Sequence, residues 1–328
     1  MVDYRRLGST GTKVSPICFG TWRFGKESDG VVETDKGEAH ELLDAYSEAG
    51  GNFVDTANVY GDPPGTCEEY IGDWLATRDR DRYVLASKVY FGVGDGPNES
   101  GLSRPHIRRQ IEGTLDRLGT DYLDVYYIHR WDEETPIEET LATLDELVAD
   151  GRVNYIGASS MAAWKLTKAL WTSDVDDYER FEVTQPMFHA AYRETEEYLE
   201  VCADQEIAVC PYSPLAGGFL TGKYERGPDG EAVGPEGSRA ELVDYFQDAY
   251  VDDRGWRVLD AIRRVAEETD ATPAQVALRW LIERPDFTCI PIIGARTVEQ
   301  MEENMGALDV SLTDDQRERI TEAREAEA

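Results

Sequence analysis

The chain has 328 residues, of which 66 are Asp or Glu and 33 are Lys or Arg, giving a net charge of −33. A surface that acidic repels nucleic-acid phosphates and anionic lipid, which excludes both as partners. A hydrophobic content of 41%, with seven Trp and seventeen Tyr, excludes a disordered chain, so the acids read as a solvated surface of the kind that keeps a protein soluble at high salt.

In chain order, the opening "MVDYRRLGSTGTKVS" is polar and turn-rich, without the apolar segment of a signal peptide. "SPICFGT" predicts a first strand, and "KGEAHELLDAYSEAG" a helix whose closing Gly pair suits a C-cap. "NFVD" and "YVLASK" predict the next two strands. "GVGDGPNESG" is glycine-rich, but no Lys-Ser or Lys-Thr follows to make a phosphate loop, so it reads as an exposed loop. "SRPHIRRQIEGTLDRLG" opens a helix at Ser103, with Pro105 placed where a missing N–H costs little. "LDVYYIH" is the fourth strand. "TPIEETLATLDELVADG" repeats the helix scheme from Thr135 and Pro136 to Gly151. "VNYIGASS", "FEVTQP" and "IAVCPYS" are strands five to seven. An irregular stretch rich in Gly and Pro then runs from about Ala216 to Gly237, and loops that long are usually functional. "TPAQVALRWLIERP" is a helix opened by Thr272 and Pro273, "TCIPIIG" the eighth strand, and "DDQRERITEAREAEA" a charged terminal helix.

Strands alternating with helices imply parallel pairing through right-handed crossovers. Eight such units without a linker predict one domain over 1–328, an α/β fold of the (β/α)8 barrel type with its long loop after strand seven. The "GVGDGPNESG" loop would then lie over the barrel mouth. Five cysteines without a C-x-x-C pair argue against disulfides or zinc and for a reducing cytoplasm. No apolar run is long enough to span a membrane.

Active sites of such barrels form at the C-terminal strand ends. Six consecutive strands here end in residues able to do chemistry: Asp55, Lys88, His129, Ser159, Gln185 and Tyr212. Tyr60 follows Asp55 on a short loop. A phenol is a weak acid near neutrality, and a neighbouring ammonium is expected to pull its pKa down. Asp55 would hold that ammonium, and an imidazole would polarise a carbonyl oxygen. The set suits protonation of a carbonyl as it accepts hydride.

The motifs "DTANVYG", "ASK", "YYIHRWD", "IGASS", "TQP", "CPYSPLAGG" and "IPIIGARTVEQMEEN" fall in the order found in aldo-keto reductases, and the chain resembles that family from about Arg6 to Ala307. The long-loop branch, which includes reductases similar to voltage-gated channel β-subunits, is the nearest likeness. The resemblance implies a barrel that binds NADPH, or less often NADH, and transfers hydride between the cofactor and an aldehyde or ketone. By motif, Tyr60 becomes the general acid and base, Lys88 and Asp55 tune it, and His129 orients the carbonyl. Gly20, Thr21 and Trp22 match the first strand's cofactor contacts. Ser159, Ser160 and Gln185 match the carboxamide positions, and Tyr212 the aromatic that stacks on the nicotinamide. Ser213, Pro214, Leu215 and Gly217, then Lys223, Ser238 and Arg239, resemble the pyrophosphate strap, which gives the irregular stretch a purpose as a cofactor clamp. Gly294, Arg296, Gln300, Glu303 and Asn304 match the adenosine end.

Ser160 stands where the family usually has Asn, or Arg in the channel-associated branch, which weakens the amide contact implied there. Arg296 replaces a frequent Ser and can pair with a 2′-phosphate, which favours NADP over NAD. Trp22, Phe24, Tyr60, Tyr90 and Trp131 are expected to line an aromatic mouth for a small carbonyl or alcohol substrate, beside His129. Arg130 turned inward would favour an anionic or sugar substrate; turned outward it would pair with nearby acids. No G-x-G-x-x-G opens a helix and no H-x-H is present, which argues against a Rossmann dehydrogenase and against a metal enzyme. The rival reading is a cofactor-binding redox-sensing or regulatory partner of the same fold, though such relatives carry Asn where this chain has His129. A monomer is the family default.

Overall fold

The computed structural model describes residues 2–28, 31–193, 195–236, 238–243 and 245–325. Gly237, the end of the irregular stretch, and Ala326–Ala328, the tail of the terminal helix, lie outside the described residues. Eight parallel strands form the centre: β1 (Cys18–Gly20), β2 (Phe53–Asp55), β3 (Val84–Val89), β4 (Leu123–Ile128), β5 (Val153–Ser159), β6 (Phe181–Gln185), β7 (Ala208–Val209) and β8 (Ile292–Ile293). They pair in the order β7-β6-β5-β4-β3-β2-β1-β8. The sheet closes on itself because Val209 donates to Thr288 O and Ile290 to Val209 O, each at 2.8 Å. The (β/α)8 barrel is therefore present. Its last strand is interrupted where Pro291 lacks an N–H, and the Pro291 carbonyl instead accepts from Cys18 N at 3.0 Å.

Two cores follow from the period of two along each strand. Phe53, Val84, Ala86, Val125, Tyr127 and Val183 point inward and fill the barrel, with Leu7 and Val14 of an N-terminal hairpin packed among them. The other face packs on helices. In α1 (Lys36–Glu48) the buried Ala39, Leu42, Leu43 and Tyr46 make one helical stripe, and Asp35 with Glu38 form a capping box. Gly157 leaves room for the Tyr127 ring, since a Cβ there would come within 2.5 Å of it.

The expected helices α3 (Arg104–Leu118), α4 (Ile137–Ala149) and α8 (Pro273–Ile282) are found, as is the terminal α10 (Asp314–Glu325), with α2 (Thr66–Leu75), α5 (Ala163–Asp176), α6 (Glu196–Asp204) and α7 (Asp253–Thr269) among them. Thr272 caps α8 in a capping box with Gln275. At α4 the cap is Pro136 rather than Thr135, whose hydroxyl bonds Asp132 at 2.7 Å instead. The stretch after β7 is less irregular than expected: it folds into 3₁₀ turns, a hairpin of Glu225–Arg226 with Ala232–Val233, and short helices at Arg239–Leu242 and Phe246–Tyr250. Strands of two residues are too short to show a period in sequence. Among the described residues, no helix is long and apolar enough to cross a membrane, and no group of His, Cys, Asp or Glu could hold a metal ion.

Candidate active site

Strand parity places the polar ends. Val84 and Ala86 face the barrel interior, so Lys88, two residues on, faces it too, at the mouth. The same count takes Phe53 to Asp55, Tyr127 to His129 and Val183 to Gln185. Register aligns them: Asp55 is opposite Gly20 and Ala86, Lys88 is opposite Tyr127, and Gln185 is opposite Ser159.

The Lys88 ammonium has three protons and three acceptors. It lies 2.5 Å from Asp55 Oδ2, 2.7 Å from Thr56 O and 3.4 Å from the Tyr60 hydroxyl. The other carboxylate oxygen, Oδ1, accepts from Gln185 Nε2 at 2.6 Å. The pair is buried, and such a pair persists only when its remaining hydrogen-bonding sites are also met, as they are here. Thr21 steadies the arrangement from β1, its N–H and hydroxyl both reaching Asp55 O, at 3.0 and 2.9 Å. Because Lys88 donates to the Tyr60 oxygen, the phenol's own proton points elsewhere, free for a ligand. The His129 ring meets Tyr60 edge-on with centroids 5.8 Å apart, and its Nδ1 is buried without a partner.

The electrostatics correct one expectation. Burial pulls the Lys88 ammonium toward neutrality, but Asp55 and Tyr60 outweigh it and hold the group above its ordinary value. For Tyr60, burial is the largest influence and raises the pKa, with Asp55 adding to it; the lowering by Lys88 is the smaller effect. The phenol is therefore held more firmly protonated than a free tyrosine, not less. Burial, aided by Lys88, pushes His129 down to about 2, so its imidazole is neutral across the physiological range.

A second polar region lies across the mouth. Ser159 Oγ bonds Gln185 O at 3.0 Å, and Ser160 sits at φ 51 beside it. Tyr212 is half-buried at the end of β7. Ser213, Ala216, Gly217 and Gly218 all have positive φ, and a Cβ on Gly217 would come within 2.8 Å of the Tyr250 ring. Pro214 and Leu215 complete this turn. Lys223, Arg239 and Arg296 converge from distant parts of the chain, joined by Arg23 of the loop after β1. Burial and then Arg296 and Arg239 lower Lys223, and burial and then Arg296 lower Arg23 to about 10 despite its ion pair with Glu33. Among the described residues no carboxylate pairs with Lys223, Arg239 or Arg296. Ser238 Oγ and Arg23 Nε are buried and unpartnered in the same region. Four like charges and two idle donors together could hold a phosphorylated, elongated ligand.

Other expected residues are placed variously. Trp22 is exposed, with Lys26 3.8 Å and Arg239 5.9 Å from its ring. Gly20 sits tight against β8, since a Cβ there would come within 2.6 Å of Ile292. Gln300 Oε1 accepts from Arg296 N at 2.9 Å and so shapes the turn into α9 (Val298–Met305), Asn304 is buried, and Glu303 and Gly294 are exposed. Phe24 does not line the mouth: it is buried in the core, 5.7 Å from the Phe19 ring. Tyr90 is partly buried and Trp131 mostly so. Two residues escaped the sequence reading. Phe91 packs edge-on to His129 with centroids 4.8 Å apart, and Arg23 joins the cation cluster. A basic residue directly after Trp22, in a chain with twice as many acids as bases, was the available signal for Arg23.

Residues 16–325 match the model of the aldo/keto reductase family. The chain is 36% identical over 320 residues to a Bacillus subtilis protein named an uncharacterized oxidoreductase, YrpG, covering 95% of this chain and 92% of that one. It is 30% identical over 334 residues to norsolorinic acid reductase A of Aspergillus parasiticus, covering 98% and 81%. A probable voltage-gated potassium channel subunit beta of Arabidopsis thaliana is 36% identical over 317 residues, covering 94% and 92%.

Proposed function

The chain belongs to the aldo/keto reductase family of oxidoreductases, and on that premise we propose that it interconverts a carbonyl compound and its alcohol using NADP(H), with Tyr60 as general acid and base. The observation that carries this reading is the saturated Lys88 ammonium, which takes a lone pair of the Tyr60 oxygen and leaves the phenolic proton directed at a ligand. A nicotinamide dinucleotide, when bound, supplies hydride to the carbonyl carbon or takes it back. Tyr60 gives its proton to the carbonyl oxygen in reduction and recovers it in oxidation. As the phenolate forms, the adjacent ammonium stabilises it across 3.4 Å. Neutral His129 offers an N–H to the same oxygen and adds no repelling charge beside Lys88.

Support for NADP over NAD is the cluster of Arg23, Lys223, Arg239 and Arg296, which carries more positive charge than a pyrophosphate requires. Ser159, Ser160 and Gln185 would hold the carboxamide end, Tyr212 the ring, and Ser213 to Gly217 with Ser238 the strap. One N–H of Gln185 Nε2 is engaged by Asp55, which leaves its oxygen and second N–H for that task. Residues 1–328 are read as one domain, monomeric and cytoplasmic; free, buried thiols at all five cysteines support a reducing compartment. The likeness to the plant channel subunit favours the rival reading, a cofactor-binding regulatory partner with little turnover.

The deciding experiment follows NADPH consumption with a broad aldehyde panel, comparing the wild type with Tyr60→Phe. The expected loss is about 10²- to 10⁴-fold with NADPH affinity preserved. Equal consumption by both proteins would overturn the role given to Tyr60, and wild-type binding without consumption would favour the regulatory reading.

A further inference from the structure

Tyr60 and the ammonium beside it stand on different elements. Lys88 lies near the end of β3, and its head is fixed by short bonds to Asp55 and Thr56. Its contact with the Tyr60 hydroxyl is the longest of the three, at 3.4 Å, and so the least secured. Tyr60 is placed by its backbone. Its N–H bonds Ala57 O at 3.0 Å, and its carbonyl accepts from Gly65 N at 3.1 Å and Cys67 N at 3.3 Å, where α2 begins. Tyr60 therefore goes where the first turn of α2 goes.

Two side chains of that turn fasten it to the barrel. Cys67 Sγ reaches Thr21 Oγ1 at 3.0 Å and Thr56 Oγ1 at 3.2 Å, the residues that follow β1 and β2. Glu68 ties the turn to β3. Its Oε1 accepts from the hydroxyl of Ser87, the residue before Lys88, at 2.6 Å. Its Oε2 accepts from Arg117 of α3, with Nε and Nη2 each at 2.7 Å. Glu68 is wholly buried. Arg117 reaches it past two glycines, since a Cβ on Gly65 would come within 2.7 Å of the arginine side chain and one on Gly113 within 3.0 Å. A buried ion pair is seldom more stabilising than an apolar pair of similar volume, so stability alone does not account for this one. Directional bonds to a guanidinium add what apolar contact does not, a fixed geometry.

We propose that Glu68, held by Arg117, is a positioning residue for the proton donor: through Ser87 it fixes the first turn of α2 against β3 and so sets the distance between Lys88 and Tyr60. This rests on the reading of Tyr60 as general acid and base. Reduction needs the ammonium close to the phenolate as the proton leaves, and its stabilising effect falls as the separation grows. Releasing α2 from β3 would weaken that contact while leaving the surfaces that bind substrate and cofactor in place. The loss would therefore appear in kcat rather than in KM.

Two variants test this without leaving a buried charge unpaired. Ser87→Ala removes the tie to β3 and keeps the Glu68–Arg117 pair. Glu68→Leu combined with Arg117→Met replaces the whole device by apolar contact. Each should lower kcat for aldehyde reduction about 10- to 100-fold, with KM and NADPH affinity unchanged. A second measurement does not depend on turnover. With 3-fluorotyrosine incorporated at position 60, the fluorine resonance follows ionisation of that phenol. Either variant should move the midpoint to higher pH, because Lys88 then holds the phenolate less closely. An unmoved midpoint, or a lowered melting temperature with kcat unchanged, overturns the proposal and leaves Glu68 a part of the packing only. If Tyr60→Phe consumes NADPH like the wild type while the midpoint still moves, the role of Tyr60 in the reaction fails and the positioning by Glu68 stands.

Discussion

Two positive regions face the same barrel mouth and are built in opposite ways. Lys88 is buried, and every proton of its ammonium has an acceptor within the protein. Lys223, Arg239 and Arg296 have no carboxylate partner among the described residues and repel one another. The first region spends its charge internally, to set the state of Tyr60. The second leaves its charge unspent, in a molecule whose surface is otherwise strongly negative. A cation that tunes a neighbour must be held in one place, whereas a cation that receives a ligand must stay unneutralised until the ligand arrives. On the function proposed above, the first region serves chemistry and the second binding.

The comparison breaks most visibly at Lys88. Lys88→Met leaves Asp55 buried without its counter-charge, which should cost about 3–5 kcal/mol in urea unfolding and abolish measurable reduction. Lys88→Met combined with Asp55→Leu should recover much of the stability and none of the turnover, because an apolar pair replaces the ion pair. If the single variant unfolds like the wild type, the internal pairing has no structural weight. Of smaller size, Arg239→Gln or Arg296→Ser should weaken NADPH binding about tenfold in fluorescence titrations while changing stability by no more than about 0.5 kcal/mol. A stability loss as large as that of Lys88→Met would erase the distinction between the two regions. Binding of NADH should respond less than binding of NADPH.

The smallest effect concerns pH. Tyr60 is raised and His129 lies at about 2, so kcat for reduction should be flat between about pH 5 and 9, without a histidine inflection. Stability should behave differently at the two ends. His129 is depressed, so its contribution is present above the unfolded value of 6.5 and is lost as pH falls from there toward about 2. Lys88 is raised, so its contribution is complete below the unfolded value of 10.5 and is lost as pH rises through the higher folded value. Melting temperature against pH checks both signs. An inflection of kcat near 6.5 would show that His129 titrates and is less sheltered than its surroundings indicate.

The barrel was legible because strands alternate faces and six consecutive ones run out on a polar residue, as Val84, Ala86 and Lys88 show for β3. The gathering of Asp55, Lys88, Tyr60 and Gln185 at one mouth follows from the same parity. Phe24 was misread because nothing local states which way a loop aromatic turns; Phe24 N bonds Thr21 O at 2.9 Å, and that tight turn sends the ring back into the core. The direction of the Tyr60 shift was misread because it is a contest between burial and charge, and only the packed structure reveals how deep the phenol lies. Arg23 was missed because its partners, Arg239 and Arg296, lie far along the chain and meet it only once the barrel has closed.

That closure has a consequence of its own. The central strands are joined by extended ladders, but β7 and β8 are two residues each, and the seam there is closed by the bridge of Val209 with Cys289 and one further bond, from Ile292 N to Pro211 O at 2.9 Å. Barrels loosen first where cooperative contacts are fewest, so this seam is the natural place for the wall to part transiently. Cys210 and Cys289 stand at it, both fully buried, Cys289 with its pKa pushed by burial up to about 12. A thiol reagent reaches either sulfur only when the seam is open, and the fold therefore carries, in two of its own side chains, a clock for how often the barrel breathes.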